Sequence, residues 1–289
     1  MTELNVQKRR SSRRKEFWIR LCRNKAALIG MVILSALIIT AVFAPIIAPY
    51  HYDEQNYQII NQLPSLAHPL GTDNCGRDIL SRLIYGSRVS LQIGFIAVGI
   101  GAVVGGLLGA VAAFYGKAVD NIIMRCIDIV LAIPSTLLAI SISAALGPGL
   151  TNAMIAIGIG SAPNYARIVR ASVLTVKEQE FVEAARCVGA SDAYIILREI
   201  LPNALSPIIV QATLGVASAI LSAAALSFIG LGIQPPSPEW GAMLSAGRVY
   251  IRDFWPIVTF PGVAIMITIF ALNLFGDGLR DVLDPKLRR

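Results

Sequence analysis

Apolar positions in this chain gather into six long blocks separated by polar stretches. A helix needs roughly 20 apolar residues to cross a bilayer core. The blocks predict spans over residues 26–49, 89–115, 122–146, 150–166, 207–233 and 255–276. The first run is too long for a signal-peptide core, and its small-residue stretch at 42–44 runs into Pro45, so it reads as a retained anchor. The chain divides into a basic segment (1–25), a first span (26–49), an external segment (50–88), a five-helix core (89–279) and a tail (280–289). The core carries a polar insertion at 167–206. The predicted class is an all-α polytopic integral membrane protein with about six transmembrane helices.

Composition agrees. Of 289 residues, 55% are hydrophobic and 15% charged, with a mean hydropathy of +0.65. Soluble domains run nearer about 25% charged. Lys and Arg orient the spans. Lys8, Arg9, Arg10, Arg13, Arg14, Lys15, Arg20, Arg23 and Lys25 precede the first span. Lys117, Arg125, Arg167, Arg170, Lys177, Arg186 and Arg198 fall in the 2–3 and 4–5 loops, and Arg280, Lys286, Arg288 and Arg289 in the tail. The opposite side holds Arg77, Arg82, Arg88, Arg248 and Arg252. Both termini are therefore expected in the cytoplasm. The basic N-terminus would also hold anionic lipid, at about 1 kcal/mol per residue near the surface. The net charge of +7 comes without aromatics interleaved in a basic stripe, which argues against nucleic acid as a partner.

Little here points to catalysis. The chain has no Walker A loop, no His-Glu-x-x-His and no Gly-x-Ser-x-Gly. Cys22, Cys75, Cys126 and Cys187 are scattered, and His51 and His68 lack metal-ligand spacing, so neither a bound cofactor nor a metal is expected. Charge inside the spans, the usual pointer to an ion-coupled carrier, is nearly absent. Asp128 is expected at the cytoplasmic boundary, paired with Arg125, because residues 129–146 suffice to cross. Pro134 predicts a kink within the third span.

Local punctuation predicts further detail. Ser206-Pro207 reads as an N-cap followed by proline at the first helical position, and Pro202 as the end of the helix before it. Ala97, Gly101, Gly105, Gly109 and Ala113 form a small-residue face at four-residue spacing. It suits close helix packing, either within the subunit or against another. Trp240 and Trp255 read as interfacial anchors.

The 4–5 insertion is the most informative segment. Residues 177–188 read as an amphipathic helix with Phe181, Ala184, Ala185 and Val188 on one face. Gly189 suits a left-handed C′ position, and Ser191 can cap a second helix with Asp192 in its first turn. The result is an interfacial helical hairpin on the cytoplasmic side, and a membrane-surface helix fits the same pattern.

Glu183-Ala184-Ala185, then Gly189, then Leu201-Pro202 resembles the loop by which permeases of ATP-binding-cassette importers grip their ATPase. Ile200-Leu201-Pro202-Asn203 matches the peptide-permease variant of its end. Three other stretches agree. His68–Asp73 with Gly76-Arg77-Asp78 and Ser81-Arg82 resembles the external segment of dipeptide, oligopeptide and nickel permeases. Phe228–Gly232 through Glu239-Trp240-Gly241, and Asn273–Asp281 with Leu283–Lys286, resemble the later segments of the same family.

The resemblance implies a type I importer permease of the C type in the bacterial inner membrane. Its partners would be a B-type permease, two ATPase subunits that bind ATP and magnesium, and an extracytoplasmic substrate-binding protein. It implies peptides as cargo, with nickel complexes, glutathione or another small solute as the alternative; the rival class is a self-sufficient secondary transporter. It also implies that Glu183, Ala184, Ala185, Gly189, Leu201 and Pro202 couple to the ATPase. Asp73, Arg77, Asp78 and Arg82 either contact the binding protein or an outer gate, or pair locally.

Overall fold

A computed structural model describes residues 18–283; the start of the basic segment and the tail from Asp284, with Lys286, Arg288 and Arg289, lie outside the described residues. Among the described residues the regular structure is helical, with one isolated bridge between Thr72 and Asp78. The helices are α1 (Lys25–Val42), α2 (Ile79–Tyr115), α3 (Lys117–Leu131), α4 (Ser135–Leu146), α5 (Leu150–Val176) and α6 (Glu180–Cys187). A composite α7 follows: Asp192–Tyr194, a π-helical stretch Ile195–Ile200, and Leu201–Asn203. Then come α8 (Leu205–Phe228), α9 (Trp240–Gly247) and α10 (Pro256–Leu283).

Four of these helices, α1, α2, α8 and α10, are long and apolar enough to cross a membrane, and α3 with α4 makes a fifth if counted as one broken span. The remaining predicted span is α5, 27 residues long but less apolar, with Asn152, Ser161 and Asn164 along it. Large apolar side chains such as Val32, Ile39, Val103, Leu221 and Phe270 are exposed on outer faces. That is the arrangement expected where hydrocarbon is the solvent.

The structure moves several boundaries. α2 starts ten residues ahead of the predicted span, because the Asp78 carboxylate caps it by accepting from the Ser81 N–H at 2.7 Å. At 37 residues it is about 55 Å long, well beyond a hydrocarbon core of about 30 Å. Its first turns carry Arg82 and Arg88, both from the stretch assigned to the external segment. Arg88 donates to the Ala41 and Val42 carbonyls at 3.0 Å each and so closes the end of α1.

The expected kinked third span is broken outright: α3 and α4 meet at 86°. Pro134 lacks an N–H and disfavours helical geometry in Ile133, and its own backbone is extended. Asp128 therefore ends up near the close of α3. It pairs with Arg167 at 2.6 Å rather than with Arg125. Ser206 is not a cap either. α8 begins at Leu205, and Pro207 sits in its first turn, where an N–H would have no intrahelical partner.

The small-residue face of α2 is settled by its neighbour. It packs along α5 of the same chain, with Gly105 against the Ala162 carbonyl and Gly109 against that of Ala166. A Cβ at either glycine would lie 2.0 or 2.2 Å from that oxygen. α1 is held to α10 by a reciprocal fit, with Gly30 against the Ala271 backbone and Gly278 against Ala27. The main core lies between α2, α5, α8 and α10, where Ile93, Ala97, Ile157, Val216, Ile220 and Leu272 meet.

Candidate functional site

The 4–5 insertion folds as a helical hairpin seated on the ends of α2 and α5. Val182 of α6 and Ile195, Ile196 and Ile200 of α7 bury against Ala110, Ala113 and Phe114 of α2 and Val169, Val173 and Val176 of α5. Burial of this order stabilises by about 1.5–3 kcal/mol per large aliphatic side chain. Polar clamps add to it. Lys177 Nζ donates to the Ala113 carbonyl at 2.7 Å, and the Arg186 guanidinium lies 5.2 Å from the Phe114 ring centroid. Arg170 makes a two-pronged pair with Asp120, both bonds 2.6 Å, tying α5 to α3.

The elbow between α6 and α7 is built as its sequence predicts. Gly189 has φ +79°. Its N–H donates to the Arg186 carbonyl at 3.0 Å, and the Ala190 N–H to Ala185 at 3.1 Å, which satisfies the last carbonyls of α6. The Ser191 hydroxyl accepts from the Tyr194 N–H, and Asp192 opens α7. The helix face differs from the periodicity reading. Phe181, Val182 and Ala185 face the core, whereas Ala184 and Val188 are exposed, Val188 by 84%.

Glu183 is exposed beside Ala184 and has no ion pair or hydrogen bond among the described residues. The outer surface of α6 thus presents a carboxylate, a methyl-sized residue and an apolar valine on a rigid base. Leu201 packs into the hairpin core and Pro202 is exposed. Pro202 sits in the last turn, and the helix ends one residue later at Asn203. The π-helical turn before it widens the ladder, with the Leu201 N–H reaching Ile196, and Asn203 Nδ2 donates back to the Glu199 carbonyl at 2.7 Å.

At the other end of α2, Asp73, Arg77, Asp78 and Arg82 are all buried, 3–6% exposed. Asp73 accepts from Arg77 Nε at 2.7 Å and from the Cys75 and Arg77 N–H groups, and Arg82 Nε lies 3.5 Å away. Asp78 accepts from the Ser81 hydroxyl at 2.7 Å and meets His68 Nδ1 at 3.0 Å. Charges this buried need such partners. Arg82 also reaches the Tyr52 and Pro236 carbonyls, at 3.0 and 3.4 Å, so it joins three distant segments.

Sequence reasoning read the 228–241 segment separately and did not foresee this junction. Trp240 belongs to it: it is 1% exposed and its Nε1 donates to the Leu83 carbonyl at 3.1 Å, so it is a packed core residue and not an interfacial anchor. Trp255 is 52% exposed. Glu239 caps α9, accepting from the Gly241 and Ala242 N–H groups at 2.8 and 2.7 Å. Burial pushes its carboxyl above the usual carboxylate range, against the pull of those donors.

Comparison with known proteins brings these features together. Residues 105–289 match the family described as binding-protein-dependent transport system inner membrane component. Residues 12–64 match the N-terminal transmembrane domain of oligopeptide transport permease C. The chain is 49% identical to the dipeptide transport system permease protein of Alkalihalophilus pseudofirmus, over 95% of this chain and 90% of that one. It is also 49% identical to the di/tripeptide permease protein of Pseudomonas aeruginosa, over 95% and 92%. Against the glutathione transport system permease protein of Escherichia coli the figure is 47%, over 94% and 90%. Among solved structures, the MetNI methionine ABC transporter in an inward-facing conformation shares the fold, with a TM-score of 0.57 at 19% identity over 71% of this chain and 98% of that one.

Proposed function

The chain belongs to the family of binding-protein-dependent transport inner membrane components, the permeases of ATP-binding-cassette importers, and from that premise we propose that it forms half of a pathway importing di- or oligopeptides. A B-type permease supplies the other half. Two ATPase subunits, which hold ATP and magnesium, drive the pair, and an extracytoplasmic binding protein delivers the cargo. Both permeases swing between inward-open and outward-open states.

The observation that carries this reading is the hairpin. Its base is fixed to α2 and α5, while Glu183 stands exposed on its outer face and, among the described residues, without a partner. A rigid base passes displacement on to the spanning helices, and a free carboxylate awaits a donor on another subunit. Ala184 allows close approach, Ala185 and Leu201 seat the hairpin, Gly189 sets its elbow and Pro202 its widened turn. Asp73, Arg77, Asp78 and Arg82 serve the outer gate by locking the start of α2 to the loop before α9.

Glu183→Lys tests the coupling role. It replaces an exposed group and leaves the hairpin core untouched, so membrane insertion is expected to persist while ATPase attachment and uptake are lost. Normal uptake by this variant would remove the assignment. The similarity to the glutathione permease keeps a tripeptide-sized cargo within the reading.

A further inference from the structure

A second polar feature lies away from the hairpin, within the spanning helices. α2, α4, α5 and α8 enclose a cavity of about 210 Å³. Its polar wall is formed by Ser135, Ser161, Asn164, Tyr165, Gln211, Ser218 and Ser222, and no charged residue lines it. On α8, positions 211, 215, 218 and 222 repeat at steps of four, three and four, which places them on one helix face. That face runs about 16 Å along the axis. Between the polar groups stand Gly160, Gly215, Ala139 and Ala219, which keep the space open.

Most of the polar groups on this wall are unpaired; Ser90 of α2 and Ser143 of α4 also lack partners, but both are buried away from solvent. Among the described residues the side chains of Ser135, Asn164, Gln211, Ser218 and Ser222 have no partner, whereas Ser161 donates to the Gly158 carbonyl at 2.9 Å and the Tyr165 hydroxyl to the Gln211 carbonyl at 3.4 Å. Ser35, Thr40, Ser141 and Thr268, elsewhere on the spans, each donate back to their own helix. Ser135, Asn164 and Ser218 are also exposed. Unpaired amides and hydroxyls at membrane depth are costly, and a run of them is stabilised where it lines water or meets a polar ligand.

We propose that this stripe is the cargo-facing wall of the translocation pathway, a neutral track that hydrogen-bonds the backbone amides of a passing peptide. The proposal rests on the importer reading above. Amides and hydroxyls both donate and accept, so they match peptide groups in either orientation. The absence of charge leaves cargo side chains of either sign unselected and avoids a deep trap along the path.

The test uses the assembled complex in membrane vesicles, with the native cysteines replaced by serine. Single cysteines at 218, 221 and 222 are then treated with a membrane-impermeant maleimide. Ser218→Cys and Ser222→Cys are expected to react about tenfold faster or more than their lipid-facing neighbour Leu221→Cys, because a thiol reacts as the thiolate, which needs water. Equal rates, or no reaction at 218 and 222, would overturn the proposal and point to a stripe covered by the partner permease. A second arm replaces Asn164 and Gln211 together by leucine. Peptide uptake is expected to fall roughly tenfold, the effect of losing one or two hydrogen bonds, while the ATPases still co-purify. Unchanged uptake would also overturn it. Failure of the unmodified chain to retain any ATPase would instead sink the importer reading, with the labelling contrast left standing.

Discussion

Gly105→Ala is predicted to loosen the α2–α5 contact, and Gly106→Ala serves as its internal control. At 105 an added Cβ would sit 2.0 Å from the Ala162 carbonyl oxygen, and no real Cβ approaches within 3.0 Å, so the helices must part by about 1 Å. The obstacle is backbone, so no side chain can swing aside. A gap of that size forfeits a quarter to a half of the contact attraction along the seam. Overpacking in this range costs about 3 kcal/mol at the upper end. Replacing glycine in a helix returns about 1 kcal/mol, leaving a net loss of about 2 kcal/mol. At 106 the nearest atom is Val169 Cγ2 at 3.8 Å, an ordinary contact, so alanine keeps the helix-propensity gain. The two variants should differ by about 3 kcal/mol, or roughly 6–12 °C in melting temperature at 2–4 °C per kcal/mol. Thermal melting of the detergent-solubilised complex, followed by size-exclusion peak height, reads this directly. A Gly105→Ala complex that melts no lower than its Gly106→Ala counterpart would refute the packing argument.

Other expectations follow from the same geometry. Glu239→Gln keeps only one of the two capping bonds, because its amide has a single acceptor oxygen, but it removes a charge that burial disfavours, so it should lower the melting point less than Glu239→Ala does. Glu239→Ala leaves the Gly241 and Ala242 N–H groups without acceptors and should cost about 1–3 kcal/mol, seen as a lower melting point. Asp120→Arg should weaken the α3–α5 tie and reduce uptake, and adding Arg170→Asp should restore part of it; equal defects in the single and double variants would deny that the pair acts across this junction.

Much of the fold was legible because bilayer physics imposes long apolar blocks, and the hairpin because Gly189 and Ser191 are local signals with one structural meaning. The errors arose where a distant partner decided the outcome. Arg82 and Arg88 count in the sequence only as external charges, because their acceptors at Tyr52, Pro236, Ala41 and Val42 are distant along the chain. Trp240 is amphipathic in the abstract, but the Leu83 carbonyl gives its N–H a buried partner. Pro202 fits inside the last turn because a π turn makes room, which local propensity does not encode. The neutral stripe on α8 was hidden for another reason: serine and glutamine in a span draw less attention than charge, and only their gathering around one open space marks them out.

The most direct test of the account is peptide uptake by the reconstituted assembly of this chain, its B-type partner, the ATPases and the binding protein in sealed liposomes. The account predicts accumulation that requires both binding protein and ATP hydrolysis, and that disappears with Glu183→Lys while the subunits remain in the bilayer. Uptake by this chain alone, without ATP, would contradict it.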